Sequence, residues 1–500
     1  MSDEPRRYLF PPLERRGVVF GLGAPQLLVL AGAGVVLVSV VRSVAGLGGF
    51  VLAALVMAMA AAGVLWPVSG RPLSGWVVIV ATWSWRRFAP VVSDAPCRGA
   101  TQGRPAPTAP TRALAGLRIL EPAVAPGLDR IGVVHDTRFG AYAAIIRVRG
   151  RSFSLLDPLD KQRRLEAWGA ILAGVSRQGS PVHRLQWIER CMPADRDGLA
   201  RYLAGAGTAG PGPCRASYEE LVAGAGPVGQ DHEVLLVVAV RARRAPRPRP
   251  VVPRRDDPGC AALSREVRLL LGQLRNADLT VDRVLDGAAV HAALQRGFGP
   301  GASSGGEGGG GPGAGPVAGG GGGAGEVPGR SPWPLAADDG WSMCRVEGAW
   351  SVTYWVEEWP RVEVGPDALV PLLLGAGVWR AVSVVMAPVP PAQAVREVEA
   401  ARTADLADDE LRRRAGFVVT ARRRRQAEGV LQREAELAGG HGEYRFSGYV
   451  TVSALERSEL ERACAELEQT ARHAHLELRR LYGRQEEALT WTLPLARGLS

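Results

Sequence analysis

Two long stretches without a charged side chain dominate the N-terminal part of this sequence. VVFGLGAPQLLVLAGAGVVLVSVV runs from Val18 to Val41, and VAGLGGFVLAALVMAMAAAGVLW runs from Val44 to Trp66. Each is about as long as the roughly 20 residues an α-helix needs to cross a bilayer core. Only Arg42 and Ser43 separate them, so the pattern predicts a membrane α-hairpin with helices over about 18–41 and 44–66. A cleaved signal peptide fits poorly, because the first stretch is long and the second follows at once. Arg6, Arg7, Arg15 and Arg16 precede the pair, and Arg71, Arg86 and Arg87 follow it. Basic flanks on both outer sides predict a multi-pass protein of the plasma membrane with both termini cytoplasmic. RPLSGWVVIVATWSWRRF, residues 71–88, is too short for a third span. Its Trp76, Trp83 and Trp85 and its basic end predict an interfacial amphipathic helix.

The rest divides by composition. Residues 89–114 form a Pro/Ala/Thr linker, and residues 299–332 are a glycine-dominated insert whose composition predicts disorder. Between them, 115–298 read as a cytoplasmic α+β domain. Two apolar runs around a turn at Asp136–Gly140 predict a β-hairpin over 130–150. Leu165, Trp168, Ile171, Leu172 and Val175 have helical spacing over 160–177, and 262–277 carry a second amphipathic pattern. His183–Arg190 and the near-continuous apolar run His232–Ala242 read as strands, the latter covered on both faces.

Residues 333–500 form a second α+β region. Ala349–Trp359 alternates as a strand, DALVPLLLGA predicts a short helix, and RAVSVVMAPVPP another strand. Residues 391–438 read as charged helix. Ten arginines face nine acidic residues there, so the span is almost neutral. The ending reads as a strand (EYRFSGYVTVSA), a helix (ERSELERACAELEQTARHAHLELRRLY) and a strand (EEALTWTLPL). Paired with the elements from Ala349 onward, these predict a small ferredoxin-like β-α-β sandwich.

Chemistry-bearing patterns are sparse. The net charge is +10, yet Lys161 is the sole lysine among 60 basic residues. Its context, LDPLDKQRR, lacks the G-x-x-x-x-G-K-[ST] frame, so there is no P-loop domain. The six cysteines, 97, 191, 214, 260, 344 and 464, include no C-x-x-C, and no metal-ligand spacing stands out. His473 and His475 are two apart on an expected helix, so they face different ways. No G-x-S-x-G elbow and no opposed carboxylate pair occurs, which predicts a non-enzymatic chain without cofactor or metal. The run Arg422, Arg423, Arg424 and Arg425 is a candidate nucleic-acid or partner-binding patch, set against the reading of a solvated helix face.

Two parts of the sequence resemble known families. PPLERRGVVFGL, the two apolar stretches and WSWRRF resemble the PrgI-like small membrane proteins of conjugation and type IV secretion systems. RVRGRSFSLLDPLDKQRRLEAWGAIL, EAARTADLADDELRRRAGF and, above all, residues 444–495 resemble the non-catalytic N-terminal region of the CagE/TrbE-type secretion ATPase. The whole is similar to an actinobacterial family of conjugation-associated integral membrane proteins. The resemblance implies a membrane-anchored structural component that docks a separate P-loop ATPase, beside other membrane subunits of the same system or as a homo-oligomer. It also implies that TWTLPLARGLS ends the chain where that ATPase is usually continuous, exposed near the motor. The alternative is a membrane-tethered DNA-binding accessory protein using Arg412–Arg414, Arg422–Arg425 and Arg241–Arg255, whose binding would be strongly salt-dependent.

Overall fold

The computed structural model describes residues 24–43, 67–68, 71–88, 113–122, 130–149, 156–193, 230–241, 258–277, 279–300, 333–334, 337–374, 377–414 and 421–499, with positions 10, 48, 50–51, 54–59, 217 and 220–221 besides. The chain divides into two units. One comprises Pro12–Thr101 with Tyr482–Arg484, and the other comprises the remainder.

In the smaller unit, helix α1 (Ala24–Ser43) is followed by the two-residue strands β1 (Pro67–Val68) and β2 (Arg71–Pro72), which pair antiparallel, and by helix α2 (Leu73–Phe88). Among the described residues no helix is long and apolar enough to cross a membrane. Among those residues this overturns the membrane α-hairpin and the multi-pass plasma-membrane placement expected above. Freedom from charge is a weaker condition than a continuous apolar helix. Helix α1 takes up the first stretch only from Ala24, contains Gln26, Gly32, Gly34 and Ser39, and carries Arg42 in its last turn. Most of the second stretch lies outside the described residues, as do most of the linker and nearly all of the glycine-rich insert.

The larger unit is built on one twelve-stranded antiparallel sheet. Its first half contributes β3 (Leu117–Leu120), β4 (Val133–Asp136), β5 (Ala141–Arg149), helix α3 (Pro158–Val175), β6 (Val182–Pro193), β7 (Gln230–Arg241), helix α4 (Pro258–Asn276), β8 (Thr280–Val284) and helix α5 (Gly287–Gly297). The second half contributes β9 (Ala337–Asp339), β10 (Cys344–Val346), β11 (Ala349–Glu358), helix α6 (Val370–Leu373), β12 (Trp379–Val389), helices α7 (Pro391–Arg414) and α8 (Ala421–Ala438), β13 (Glu443–Ala454), helix α9 (Arg457–His473), β14 (Glu477–Arg480) and helix α10 (Gln485–Leu489). The sheet order is β3-β4-β5-β7-β6-β12-β13-β11-β10-β9, with β8 also on β5 and β14 also on β11.

The two halves trace the same path. Each opens with a three-stranded meander (β3-β4-β5, β9-β10-β11). Each crosses by a helix to a strand two positions away (β6, β12), returns antiparallel between them (β7, β13), then crosses by a second helix to a short strand on the meander's last member (β8, β14). The crossovers are needed because β5 and β6, and β11 and β12, run parallel. The halves meet where β6 pairs antiparallel with β12 over Arg380↔Cys191 to Met386↔Leu185. This joint is why the expected small ferredoxin-like sandwich is not what forms. Each half would leave an unpaired edge, and each closes the edge of the other.

One face of the first half packs Tyr142, Ile146, Leu236 and Val238 under α3 and α4, whose Ile171, Val175, Leu263, Val267, Leu270 and Leu274 are buried against them. The same face of the second half packs Val352, Tyr354, Val450 and Val452 under Leu460, Leu467 and Ala471 of α9. The opposite face curls so far that Leu117 of β3 and Val346 of β10 share a core cluster with α5 and with Leu489, Leu493 and Leu495. Here each half extends onto the other. Gly299, with φ at +106°, sits where a Cβ would lie 3.3 Å from both Ala349 and Ser453, so only glycine brings the end of α5 so close to β11 and β13.

The last segment of the chain departs most from its sequence reading. The helix begun at Arg457 ends at His473 rather than near Tyr482. His475 takes a positive φ of 56°, and the Leu476 amide donates back to the Ala471 carbonyl at 2.8 Å, which closes the helix and releases β14. EEALTWTLPL is then no strand. It forms α10 and a strap of turns lying under the sheet, and Thr490, Thr492, Leu493, Leu495, Ala496 and Arg497 are buried, not exposed. A layer of hydrogen-bonded polar side chains receives it. Thr353 and Thr451 share a 2.8 Å bond, as do Thr451 and Thr492, and Ser383 Oγ donates to the Trp491 carbonyl at 2.9 Å. Arg497 closes the strap with Nε and Nη2 on Asp136 Oδ2 at 2.8 and 2.6 Å.

The β6–β7 ladder shifts register beside His183, whose Nδ1 lies 3.0 Å from the Ala239 carbonyl. A carbonyl only accepts, so Nδ1 carries the proton. Burial, reinforced by the Arg184 and Arg241 charges, pushes the His183 pKa down to about 4 from 6.5. Between those values the unfolded chain binds more protons, so stability falls as pH is lowered from about 6.5 to about 4, by about 3 kcal/mol for this group. Urea titrations at pH 7 and pH 4 should show His183→Gln losing that much less stability than the parent chain on acidification. An equal loss in both would remove His183 as the cause.

Candidate functional site

Helices α7 and α8 pack against each other as a charged pair inserted between β12 and β13. Near the sheet α7 buries Ala394, Val398 and Ala401; beyond Ala401 no described residue of either helix is buried. Leu406, Leu411 and Leu431 are instead exposed at 64%, 65% and 52%. The pair is held by charge. Arg402 donates to both carboxylate oxygens of Glu434 at 2.7 Å, and Arg445 of β13 reaches Glu397 at 2.7 Å. Arg433 contacts Glu443 and lies 3.9 Å from Glu397. Arg413 and Arg414 both lean on Glu410, at 2.9 and 3.0 Å.

The arginine run opens α8. Arg424 and Arg425 are exposed, and the side chains of Arg422 and Arg423 lie outside the described ones. The Arg412 side chain is likewise outside, and so are 242–255 of the Arg241–Arg255 run, whose Arg241 stands exposed at the end of β7. The three runs therefore have no described common surface.

A second constellation was not legible as a motif. Glu189 and Cys191 are alternate residues of β6, so they share a face. His232 is the direct cross-strand partner of Cys191 on β7. His232 Nδ1 lies 3.4 Å from Cys191 Sγ and 3.3 Å from Glu189 Oε1. The three ligand atoms all lie within 4.8 Å of one another. Burial, with Glu189 adding to it and Arg380 opposing it, pushes the Cys191 thiol up to about 12. Burial also raises the Glu189 carboxyl, against the pull of His232. On the other side of Cys191 stands its β12 partner, Arg380, 5% exposed. Arg380 Nη1 donates to the Leu372 carbonyl at 2.8 Å, while its Nε has no hydrogen-bond partner.

This arrangement is a poor nucleophilic triad. Thiol and carboxylate meet the same imidazole nitrogen, so the ring cannot take a proton on one nitrogen while the carboxylate orients the other. The thiol is buried and held protonated, the reverse of a reactive cysteine. Sequence reading missed the cluster because His232 comes from another strand, 41 residues from Cys191. The available signal was E-x-C straddling the end of the expected strand His183–Arg190, beside a second expected strand beginning with His232.

No protein-family model matches the chain, and no curated protein matches it.

Proposed function

We propose that the chain is a non-enzymatic assembly component of a conjugative or type IV secretion-like system, and that it docks a separate P-loop ATPase through the α7–α8 pair. The observation that supports this reading is the exposure of Leu406, Leu411 and Leu431 on a helical pair that, among its described residues, buries nothing beyond Ala401. In the same unit, both faces of the sheet are covered by the chain's own helices and strap. Exposed leucines among paired charges suit an interface with an apolar centre and a polar rim. The resemblance of EAARTADLADDELRRRAGF, which lies in α7 and just beyond it, to the secretion-ATPase region names the partner class. The lack of a P-loop lysine assigns hydrolysis to that partner.

The experiment is a binding titration of the purified chain against a P-loop secretion ATPase encoded in the same genome. Binding should be lost, by at least tenfold in Kd, in a Leu406→Asp/Leu411→Asp/Leu431→Asp variant whose sheet unfolds at the parent's urea midpoint. The chain alone should hydrolyse no ATP. Hydrolysis by the pure chain, or equal binding by the variant, would sink the reading. DNA binding is the less favoured alternative, because Arg402, Arg413, Arg414 and Arg433 are already matched to carboxylates. It would show instead as duplex binding that weakens steeply with salt.

A further inference from the structure

The geometry points to a metal site at Glu189, Cys191 and His232 for a borderline-soft divalent ion of the zinc class. Zinc binds thiolate at about 2.3 Å and imidazole nitrogen or carboxylate oxygen at about 2.0–2.1 Å. Tetrahedral angles then place sulfur and nitrogen about 3.5 Å apart, and nitrogen and oxygen about 3.3 Å apart. The observed separations from His232 Nδ1 are 3.4 Å to Cys191 Sγ and 3.3 Å to Glu189 Oε1. Two of the three edges among these ligands already have the required length, and all three ligand atoms lie within 4.8 Å of one another. The backbone sets this spacing, since i, i+2 on one strand and the facing residue on the next converge on one side of a sheet.

Arg380 is an independent observation. A guanidinium buried to 5% exposure beside Cys191, with Nε unbonded, lacks an anion at hydrogen-bonding range of that nitrogen. A metal-bound thiolate at Cys191 offers that nitrogen an acceptor, although exchanging one proton for a divalent ion makes the site as a whole more positive by one charge. The ion displaces the Cys191 proton to solvent, leaving thiolate, carboxylate and neutral imidazole on the divalent cation. Three protein ligands leave the fourth tetrahedral position to water or to a ligand from outside. The site lies on β6, the strand that joins the halves, so an ion there ties β7 to the joint strand.

The test uses the full chain, stripped with a chelator and titrated with cobalt(II) as the probe. One equivalent should bind, with a near-ultraviolet thiolate-to-cobalt charge-transfer band and visible bands of tetrahedral intensity, and zinc should displace it. Cys191→Ala should abolish the charge-transfer band. His232→Ala, at a partly exposed position that leaves the core untouched, should weaken binding at least tenfold, and Cys464→Ala should leave the spectrum unchanged. Zinc should raise the melting temperature of the parent chain and not of the His232→Ala variant. No cobalt binding at micromolar concentration, a charge-transfer band that survives Cys191→Ala, or unchanged affinity in His232→Ala overturns the proposal. None of these outcomes depends on the ATPase-docking reading.

Discussion

Glu233→Ala is expected to destabilise the sheet unit by about 3–5 kcal/mol, because it leaves buried positive charge without its counterion. Glu233 is the cross-strand partner of Arg190 at the β6–β7 ladder. Its two carboxylate oxygens serve three guanidinium groups: Arg147 at 2.5 Å, Arg296 at 2.8 Å and Arg190 at 3.1 Å. Burial alone would push this carboxyl up, but Arg190, Arg296 and Arg147 together hold it below its ordinary value. Arg190 is the reason for the size of the effect. Its side chain is 3% exposed, and its remaining strong contact is one donated bond to the Ala293 carbonyl at 2.7 Å. Without Glu233 the Arg190 charge has neither water nor an anion. Arg147 and Arg296, at 23% and 31% exposure, recover solvent and add less. Glu233→Gln keeps the shape and removes only the charge, so it should lose nearly as much. The urea midpoint at pH 7 measures both, and a loss below about 1 kcal/mol in both variants would show that solvent reaches Arg190 readily.

Gln186→Ala should cost about 2–4 kcal/mol, for a neutral reason. Gln186 is fully buried beneath β6 and holds the strap in both directions. Its Nε2 donates to Ser383 Oγ and the Trp491 carbonyl at 2.9 Å and to the Leu493 carbonyl at 3.0 Å, and its Oε1 accepts from the Ala496 amide at 2.7 Å. Alanine strands the Ala496 amide away from water, at about 1–3 kcal/mol, and the other lost bonds and the space left behind add about 1 kcal/mol; the Trp491 and Leu493 carbonyls keep the bonds donated by Ser383 Oγ and the Leu495 amide. The loss should be local before it is global. Hydrogen exchange at Leu493–Arg497 should accelerate in Gln186→Ala while the β7 amides of Leu236–Val238 remain protected. Uniform acceleration across both would mean that the strap and sheet unfold as one.

The extent to which these features could be read from sequence follows the range of the interaction responsible. The 130–150 hairpin appears as β4–β5, the run His232–Ala242 as β7, and EYRFSGYVTVSA as β13. Each is carried by neighbours one or two residues apart, through apolar alternation and turn residues. The Arg457–His473 helix was legible for the same reason, but its end was not. Leu478 continues the apolar spacing, and what stops the helix is the αL residue His475, which no periodicity announces. TWTLPL alternates like a strand, yet its Thr492 meets a layer of buried Ser and Thr contributed by β11 and β13, and Thr490 is buried in its own turn. An alternating pattern records one apolar and one polar face and does not record that both are buried. The first charge-free stretch becomes helical only from Ala24 among the described residues, where no helix is long and apolar enough to cross a membrane, and most of the second lies outside them. The cluster at Glu189, Cys191 and His232 needed a strand register that no one-dimensional spacing encodes.

By itself the sequence determined the identity and approximate limits of most strands and helices, the near-neutral charge of the α7–α8 pair and the lack of a P-loop, because these depend on residues adjacent in the chain. Tertiary structure alone decided that the two halves share one sheet, that the last residues lie beneath it, and that a thiol, an imidazole and a carboxylate converge. Each of those rests on pairing between residues dozens to hundreds of positions apart. There the choice is made by which strand edges and buried polar groups can satisfy one another, a condition on the whole fold rather than on any segment.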